Sequence, residues 1–504
     1  MTFPLSLGKD GYATRSPAEV RRAFFAMLLI ELWERFGYYG VAVLLVLFMV
    51  QKLGIDDARV NLIWGAFSAL IFAVPAIGGW IGDKVLGAKR CLVVGGSTLA
   101  LGYLLLSFSG ERLPRLFTAL GIIVVGNAFF RANAANLIRR IYERSDGSFD
   151  SAFTLYYMAN NVAASLAVLL TPWIKDRWSW HAAFAVCGAS CVIGLIHYAL
   201  MARALFGIGS RPDLAPLRLD RLAWVMGGAI VSLCLVAFII RHSAIGVDCV
   251  FAGSALVLGI FLYMIVKGSR SERPGLIAAL ILLVEASLFF VFYQQVATSL
   301  TLFALRNVDK NQTLFGHHLF DWSPAQYPAV NAIWIILLSP MLAWIYRRLG
   351  HRDLPVASKF AIGFVAVAVG FFSFGLSAGV AVAGKVPSWV MIVGYGFYSL
   401  GELLVAALGF AMISRYVPAR MGGFMMGAFF VAAGVSEYLG SMIANLASVS
   451  KNVADPLVSL VIYTRLFDQL GVLALIGAAI AMALLPLVKR LSLAHETSRS
   501  TPAR

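Results

Sequence analysis

Three charged side chains lie within one strongly apolar segment near the start of the chain. The segment reads Glu31-Leu-Trp-Glu34-Arg35-Phe36-Gly-Tyr38-Tyr39-Gly40, and the run around it, 23–50, is almost wholly apolar. At about 100° per residue in a helix, Glu31, Glu34 and Arg35 share one face. A charge in hydrocarbon costs on the order of 3 kcal/mol or more, so such residues usually face water or a partner. Two acids beside one base can share or exchange a proton, and the cluster predicts a proton-binding site. The structural alternative is an ion network that only fixes helix packing.

The composition indicates the class of protein in which this cluster lies. Of 504 residues, 60% are hydrophobic and 13% are charged, whereas a soluble protein carries about a quarter charged residues. The apolar residues fall in repeated blocks of about 20, the length that spans a bilayer. We therefore predict an all-α polytopic membrane protein. The net charge of +16 comes from basic residues in short loops, so it reflects membrane topology, and we expect no nucleic-acid partner.

Hydropathy predicts about 14 transmembrane helices. They lie near 23–50, 61–86, 91–110, 115–141, 150–174, 180–203, 222–241, 246–267, 275–304, 326–349, 359–383, 388–416, 421–447 and 469–489. Lys and Arg concentrate in alternate loops, which places both termini in the cytoplasm by the positive-inside rule. The start of the chain carries no cleavable signal pattern, so the first helix is expected to direct insertion.

A loop motif that occurs twice in the sequence indicates a duplicated unit. Gly79-Trp-Ile-Gly82-Asp83-Lys84-Val-Leu86-Gly87-Ala-Lys89-Arg90 follows the second span, and Tyr346-Arg347-Arg348-Leu349-Gly350-His351-Arg352 follows the corresponding later span. We predict a six-helix bundle at 1–203, a linker with two additional helices at 204–274 and a second six-helix bundle at 275–491. A cytoplasmic tail follows at 492–504, with no fixed structure expected after Ser492.

Several motifs carry a family resemblance. The glycine-Asp-basic loop, with Gly79, Asp83, Gly87 and Arg90, resembles the signature of the major facilitator superfamily, in which it serves conformational change. Glu31-x-x-Glu34-Arg35-Phe36-x-Tyr38-Tyr39 resembles the proton-dependent oligopeptide transporters of that superfamily, and is most similar to their bacterial di- and tripeptide permeases. Further matches are Phe153-Thr-Leu-Tyr-Tyr157-Met-x-x-Asn161, Tyr293-x-Gln295-x-x-Thr298-Ser299-Leu300 continuing to Arg306-Asn307, Gln326-Tyr327-x-x-x-Asn331-x-x-Trp334-Ile335, Ser399-Leu-Gly401-Glu402-Leu403 and Gly423-x-Met425-Met426-Gly427.

The resemblance implies a twelve-helix major facilitator core, two additional helices and a substrate cavity between the halves. It also implies import of di- and tripeptides with protons across the bacterial inner membrane, by a chain that functions as a monomer. Glu31, Glu34 and Arg35 correspond to the proton-coupling residues. The implied substrate-binding residues are Tyr38, Tyr39, Arg131, Asn161, Gln294, Asn331 and Glu402. Arg131 and Glu402 would receive the peptide's carboxylate and ammonium groups.

The chain departs from the family pattern at several positions. Arg131 stands where a lysine is typical, and it keeps the charge but does not readily deprotonate. Gln294 is neutral where many members carry an acid, so the cluster on the first helix becomes the principal proton site. Ala42 and Phe72 lack polar groups found in relatives, which leaves a symporter for nitrate, another small anion or a peptide-like solute as the alternative. The extra acids Glu285 and Glu437 are open between a second proton site and a structural role.

The sequence lacks the motifs typical of metalloproteases, nucleotide-binding proteins and metal-binding proteins. It contains no HExxH, no GxxxxGK[ST] and no Cys/His cluster, and its five cysteines are scattered among apolar segments. We therefore predict a protein that is not an enzyme and that uses no metal or other cofactor.

Overall fold

The structure, a computed structural model, describes residues 16–110, 112–142, 149–314, 317–350, 354–416, 422–450 and 455–500. Its first helices are α1 Pro17–Leu47, α2 Asp57–Ala73, α3 Pro75–Lys84, α4 Ala88–Ser107, α5 Leu113–Tyr142, α6 Phe149–Arg177, α7 Trp180–Met201, α8 Leu219–Arg241 and α9 Ser243–Lys267. The remainder are α10 Arg273–Tyr293, α11 Ser299–Asn307, β1 Asn311–Leu314, β2 His317–Asp321, α12 Pro328–Leu349, α13 Val356–Gly375, α14 Trp389–Tyr416, α15 Gly422–Ala444 and α16 Pro456–Ser500.

The described segments agree with the predicted number of membrane spans. Twelve of them are long and apolar enough to cross a bilayer. Two more long helices, α6 and α14, occupy the predicted fifth and twelfth spans. The prediction of an all-α polytopic membrane protein is confirmed, with one small β-hairpin in addition.

Two predicted spans are interrupted rather than continuous. The second breaks between α2 and α3, where Pro75 cannot donate a backbone hydrogen bond to the preceding turn. The ninth breaks between α10 and α11, and side chains satisfy the carbonyls freed there: Thr298 Oγ1 donates to the Gln294 carbonyl and Thr301 Oγ1 to the Val296 carbonyl, each at 2.8 Å. Backbone groups at membrane depth need such internal partners.

Two other features differ from the sequence-based prediction. The hairpin β1–β2 pairs antiparallel with a register shift between Gln312 and Thr313, in a segment predicted as a loop. The absence of fixed structure predicted after Ser492 is wrong for the tail up to Ser500, which continues α16. Extending an existing helix requires no new nucleation, and no glycine or proline interrupts this stretch. Residues 501–504 of the predicted tail and 351–352 of the repeated loop lie outside the described residues.

The chain forms two compact units, and the first comprises 1–42 and 74–238. In it, α4 and α5 approach closely through glycine: a Cβ at Gly95 would lie 2.6 Å from the Phe130 amide nitrogen. The additional helix α8 packs on the same pair, where Val225 joins a buried cluster with Cys91 and Phe129. Small residues at membrane helix interfaces allow this backbone proximity.

The second unit comprises 43–73 and 239–504. In it α2 packs on α15, and a Cβ at Gly434 would lie 2.7 Å from the Ala69 carbonyl oxygen. The second additional helix, α9, packs on the same pair. The division of the chain at residues 203 and 275 into six-helix bundles stays a prediction.

Candidate functional site

Helix α1 lies close against α6 and α7 at the level of the charged cluster. A Cβ at Gly37 would lie 2.9 Å from the Cys187 carbonyl oxygen, and one at Gly40 would lie 2.7 Å from Thr171 Cγ2. Glycine at these two positions therefore lets the α1 backbone approach its neighbours. That approach encloses the charged turn that precedes it.

The structure brings Glu31, Glu34 and Arg35 together in this enclosed turn. Their exposed fractions are 1%, 1% and 5%. The Arg35 Nε atom lies 3.1 Å from Glu31 Oε1 and 3.1 Å from Glu34 Oε2. One guanidinium nitrogen thus faces two carboxylates.

The two carboxylates have different surroundings. Glu31 Oε1 accepts a hydrogen bond from Arg35 Nε and a second, of 2.6 Å, from the Tyr156 hydroxyl of α6. Among the described residues, neither oxygen of Glu34 accepts a hydrogen bond, although Oε2 stays within ion-pair distance of Arg35. Tyr156 was not among the predicted site residues, because a tyrosine in an apolar helix gives no signal of what it contacts.

The other predicted residues of this unit lie around the same helix. Tyr38 and Tyr39 are half-buried with ring centroids 5.3 Å apart, and the Arg35 guanidinium carbon lies 5.9 Å from the Tyr38 ring centroid. Arg131 on α5 is half-buried and interacts electrostatically with Glu34. Asn161 on α6 is half-buried, and its carbonyl accepts a hydrogen bond from Ser165.

In the second unit, Asn331 on α12 contacts Glu402 on α14. The Asn331 Nδ2 atom lies 2.9 Å from Glu402 Oε2 and 3.0 Å from the Ser399 hydroxyl. The amide therefore donates to the carboxylate and fixes its orientation. Glu402 is half-buried, which leaves part of the carboxylate accessible.

Gln294 and the two extra acids are buried in the second unit. The Gln294 amide nitrogen donates to the hydroxyls of Ser68 at 3.0 Å and Ser441 at 2.9 Å, so it joins α2 to α15. Glu285 is 6% exposed, and neither of its oxygens has a hydrogen-bond partner among the residues that the structure describes. Glu437 is 2% exposed.

The loop motif after α3 is held by α5. Asp83 Oδ1 lies 3.1 Å from Arg140 Nη2 and accepts a 2.6 Å hydrogen bond from the Asn136 amide. Gly79 also lies against α5, since a Cβ there would be 3.0 Å from Ala132 Cβ. The predicted loop residues Gly79 and Asp83 therefore both contact one helix.

The linker after α7 forms hydrogen bonds with the same loop. The sequence did not predict this contact. Ser210 Oγ accepts from the Ala88 amide at 2.9 Å, and both oxygens of Asp213 accept from the Lys89 amide at 3.2 Å. Two side chains from a distant segment thus cap the first turn of α4, since helix N-termini present unpaired N–H groups. Gly87 has φ +109° beneath this cap, a backbone conformation that favours glycine.

The final loop residue, Arg90, also binds the linker. Its guanidinium donates to the carbonyls of Pro212 at 3.1 Å and Ala215 at 2.6 Å. The predicted loop motif is therefore bound by a second segment of the chain, around 210–215.

The sequence did not predict a second ion pair, between Arg306 and Asp57. Arg306 on α11 binds Asp57 at the start of α2 with two hydrogen bonds of 2.6 and 2.7 Å, and it also donates to the Tyr463 hydroxyl. Asp57 is 2% exposed. Arg306 could have been found, since it lies in one of the segments that carry the family resemblance. Asp57 could not, because an aspartate before an apolar run usually indicates only a helix start.

Residues 89–461 match the model of the POT family. The chain belongs to the POT family. Its curated relatives include dipeptide and tripeptide permease A of Klebsiella pneumoniae, 38% identical over 94% of this chain and 93% of the relative. Another is dipeptide and tripeptide permease B of Edwardsiella piscicida, 37% identical over 93% and 96%.

The fold of this POT-family chain is also similar to those of solved structures. Tetrameric PepTSo2 is 50% identical with a TM-score of 0.85, covering 94% of this chain and 99% of that one. A bacterial homologue of the human drug peptide transporters PepT1 and PepT2 is 51% identical with a TM-score of 0.84 and the same coverage. The predicted family and the major facilitator fold class are thereby confirmed.

Membership of the POT family settles the broad class of activity. The chain is a multi-pass membrane transporter rather than an enzyme. Among the described residues, no group of three or more His, Cys, Asp or Glu side chains is placed to hold a metal ion.

Proposed function

We propose that this protein imports di- and tripeptides across the bacterial inner membrane together with protons, by alternating access. The observation that carries the proposal is the enclosed Glu31–Arg35–Glu34 group in α1, where one cation shares two carboxylates. The family and the permeases named as relatives supply the cargo. Both termini are assigned to the cytoplasm from the loop charges.

The cationic groups of the first unit are suited to a peptide carboxylate. The Arg35 guanidinium, which here pairs with Glu31 and Glu34 through Nε, would exchange these partners for a carboxylate ligand. Arg131 supplies a second guanidinium that grips a carboxylate as a fork. Tyr38, Tyr39 and Asn161, half-buried nearby, would contact the peptide's side chains and backbone.

Glu402 is suited to a peptide ammonium group. Its carboxylate is oriented by Asn331 and keeps an accessible portion. Asn331 therefore acts through Glu402 in this structure, and Gln294 fixes α2 to α15. Direct substrate contact by these two amides stays a prediction.

The coupling follows from competition for Arg35. When Arg35 turns to the peptide carboxylate, Glu34 loses its ion-pair partner in α1 and more readily binds a proton. The net formal charge of the Glu31–Arg35–Glu34 cluster is then the same with peptide carboxylate and proton both bound as it is with neither bound. Loss of either one returns Arg35 to its two carboxylates, which couples the two fluxes.

A symporter for nitrate or another small anion is the alternative cargo assignment. The absence of polar side chains at Ala42 and Phe72 favours it, since these positions leave room for a different specificity. Glu402 disfavours it, because a partly accessible carboxylate repels an anion. Peptides are therefore the preferred cargo.

Uptake by the purified protein in liposomes tests the proposal. Labelled dialanine should accumulate above equilibrium only with an imposed inward proton gradient, and unlabelled di- and tripeptides should compete. Tetrapeptides and nitrate should compete weakly. Accumulation without a gradient, or stronger competition by nitrate than by tripeptide, would overturn the assignment.

A further inference from the structure

An open apolar groove lies in the second unit between α2, α9 and α15. Its wall residues come from these three helices, and α8 contributes Ile239. None of them belongs to the proposed proton or peptide sites, so the proposed function gives the groove no role. The wall on α2 consists of Ala66, Ala69, Leu70 and Ala73, and the wall on α9 includes Gly246, Val250 and Gly253.

Glycine residues bring α15 close to both of its neighbours in this region. A Cβ at Gly434 would lie 2.7 Å from the Ala69 carbonyl oxygen of α2, and one at Gly253 would lie 3.2 Å from Val435 Cγ2. Most of the wall residues on α2 and α9 are alanine or glycine. Because these side chains are too short to fill the space beside α15, a groove remains.

The groove lies at membrane depth. Both α2 and α9 are parts of spans long and apolar enough to cross a bilayer. Phe251, next to the wall residue Val250, is 69% exposed, which indicates a surface that faces lipid. An empty apolar groove would lose dispersion contacts along its walls, and the bilayer surrounds it with acyl chains.

An acyl chain fits this groove better than a protein helix does. Helices α2 and α9 pack directly against each other, whereas a helix with its side chains is about 10–12 Å across. A helix is therefore too wide to reach the wall residues between α2 and α9, and a single hydrocarbon chain is not. The wall from Ala66 to Ala73 is about 10 Å long at the helical rise per residue, a length that several methylene groups cover.

A basic side chain lies at one end of the α2 wall. Arg59 is exposed, and at about 100° per residue it lies within about 20° of Ala66 around α2. It precedes Ala66 by two turns, about 10 Å, near the end of the span where lipid headgroups are found. Two exposed acids nearby do not share this position, since Asp56 precedes α2 and Asp248 is about 160° around α9 from Gly246. The charge at this end of the groove therefore complements a lipid phosphate.

We propose that this groove is a phospholipid-binding site, with one acyl chain along the α2 and α9 walls and the lipid phosphate paired with Arg59. An arginine guanidinium binds a phosphate as a fork, with two hydrogen bonds. The bound chain fills the space that the small residues leave, so the lipid stabilises the packing of α9 on α2. The site does not depend on the proposed cargo or on proton coupling.

Native mass spectrometry of the full chain, purified in detergent and titrated with dioleoyl phosphatidylglycerol, tests the site. The unaltered protein should retain one phospholipid more tightly than any further ones. Ala69→Leu fills the groove and should remove this tight binding. Ala73→Leu should do the same, and because Ala73 is half-buried it keeps the test valid if Ala69→Leu does not fold.

The phosphate contact is tested separately. Arg59→Gln should weaken binding of dioleoyl phosphatidylglycerol roughly tenfold, the effect of losing a charged hydrogen bond. Dioleoylglycerol has the same chains without the phosphate. Its affinity should be lower by roughly the same factor in the unaltered protein, and it should not change in Arg59→Gln.

Two variants outside the groove are the matched controls. Ala252→Leu enlarges an exposed side chain of α9 that does not line the groove, and Arg465→Gln removes an exposed arginine from α16. Both should bind the phospholipid as the unaltered protein does. Tight binding that persists in Ala69→Leu and Ala73→Leu would overturn the site, and equal affinities for the two lipids would overturn the pairing with Arg59.

Discussion

At the scale of single residues, the unusual feature is one guanidinium nitrogen shared by two enclosed carboxylates. Arg35 Nε lies 3.1 Å from an oxygen of each acid. The residue types and their spacing on one helix were sufficient to predict this group, because i, i+3 and i, i+4 neighbours share a face. The spacing did not predict the hydrogen bond that Tyr156 donates to Glu31, because the two residues lie 125 positions apart on different helices.

Replacement of Arg131 tests whether charge or fork geometry matters at that position. Arg131→Lys keeps the positive charge, and should retain dialanine binding within about threefold. Arg131→Ala removes the charge and should weaken binding roughly tenfold or more, the effect of losing a charged hydrogen bond. Equilibrium binding to the detergent-purified protein measures both. Equal losses in the two variants would show a requirement specific to the guanidinium.

Glu402 is expected to recognise the peptide's ammonium group. Glu402→Ala should weaken dialanine binding by roughly 10- to 100-fold, because a charged hydrogen bond contributes about 1.5–3 kcal/mol. N-acetyl-dialanine lacks the ammonium group and provides the control. Its weak binding should be the same with and without Glu402, and an equal loss for both ligands would assign Glu402 a structural role.

At the scale of elements, long-range capping is the feature that sequence patterns did not show. Ser210 and Asp213 cap α4 from more than 120 residues away. A cap adjacent in sequence has a recognisable pattern, whereas a cap supplied by another segment has none. The hairpin between α11 and α12 was missed for a related reason, since Asn311–Leu314 carries no alternation of apolar and polar residues.

Loss of the Asp213 cap should loosen the first turn of α4. Asp213→Ala should accelerate amide hydrogen exchange at 88–91 by roughly 5- to 30-fold, because an N-cap contributes about 1–2 kcal/mol. Asp220→Ala is the control, since Asp220 forms an exposed ion pair with Arg218 at 2.7 Å and exposed pairs contribute little. Unchanged exchange in Asp213→Ala would contradict the capping role.

At the scale of the whole molecule, the sequence predicted the helical spans well because hydropathy is a local property. Each of the 14 predicted spans overlaps a long helix of the structure. Contacts between distant segments were less predictable, and Asp57–Arg306, 249 residues apart, is the clearest case. A monomeric functional form stays a prediction, and the tetrameric PepTSo2 structure shows that a relative of this chain can assemble.

Transport by Glu34→Gln tests the central claim most directly. In liposomes, the variant should exchange labelled dialanine with internal unlabelled peptide at a rate within about threefold of the unaltered protein, because counterflow requires no net proton movement. The same liposomes should show no accumulation when an inward proton gradient is imposed. Concentrative uptake at the unaltered level in Glu34→Gln would contradict the account.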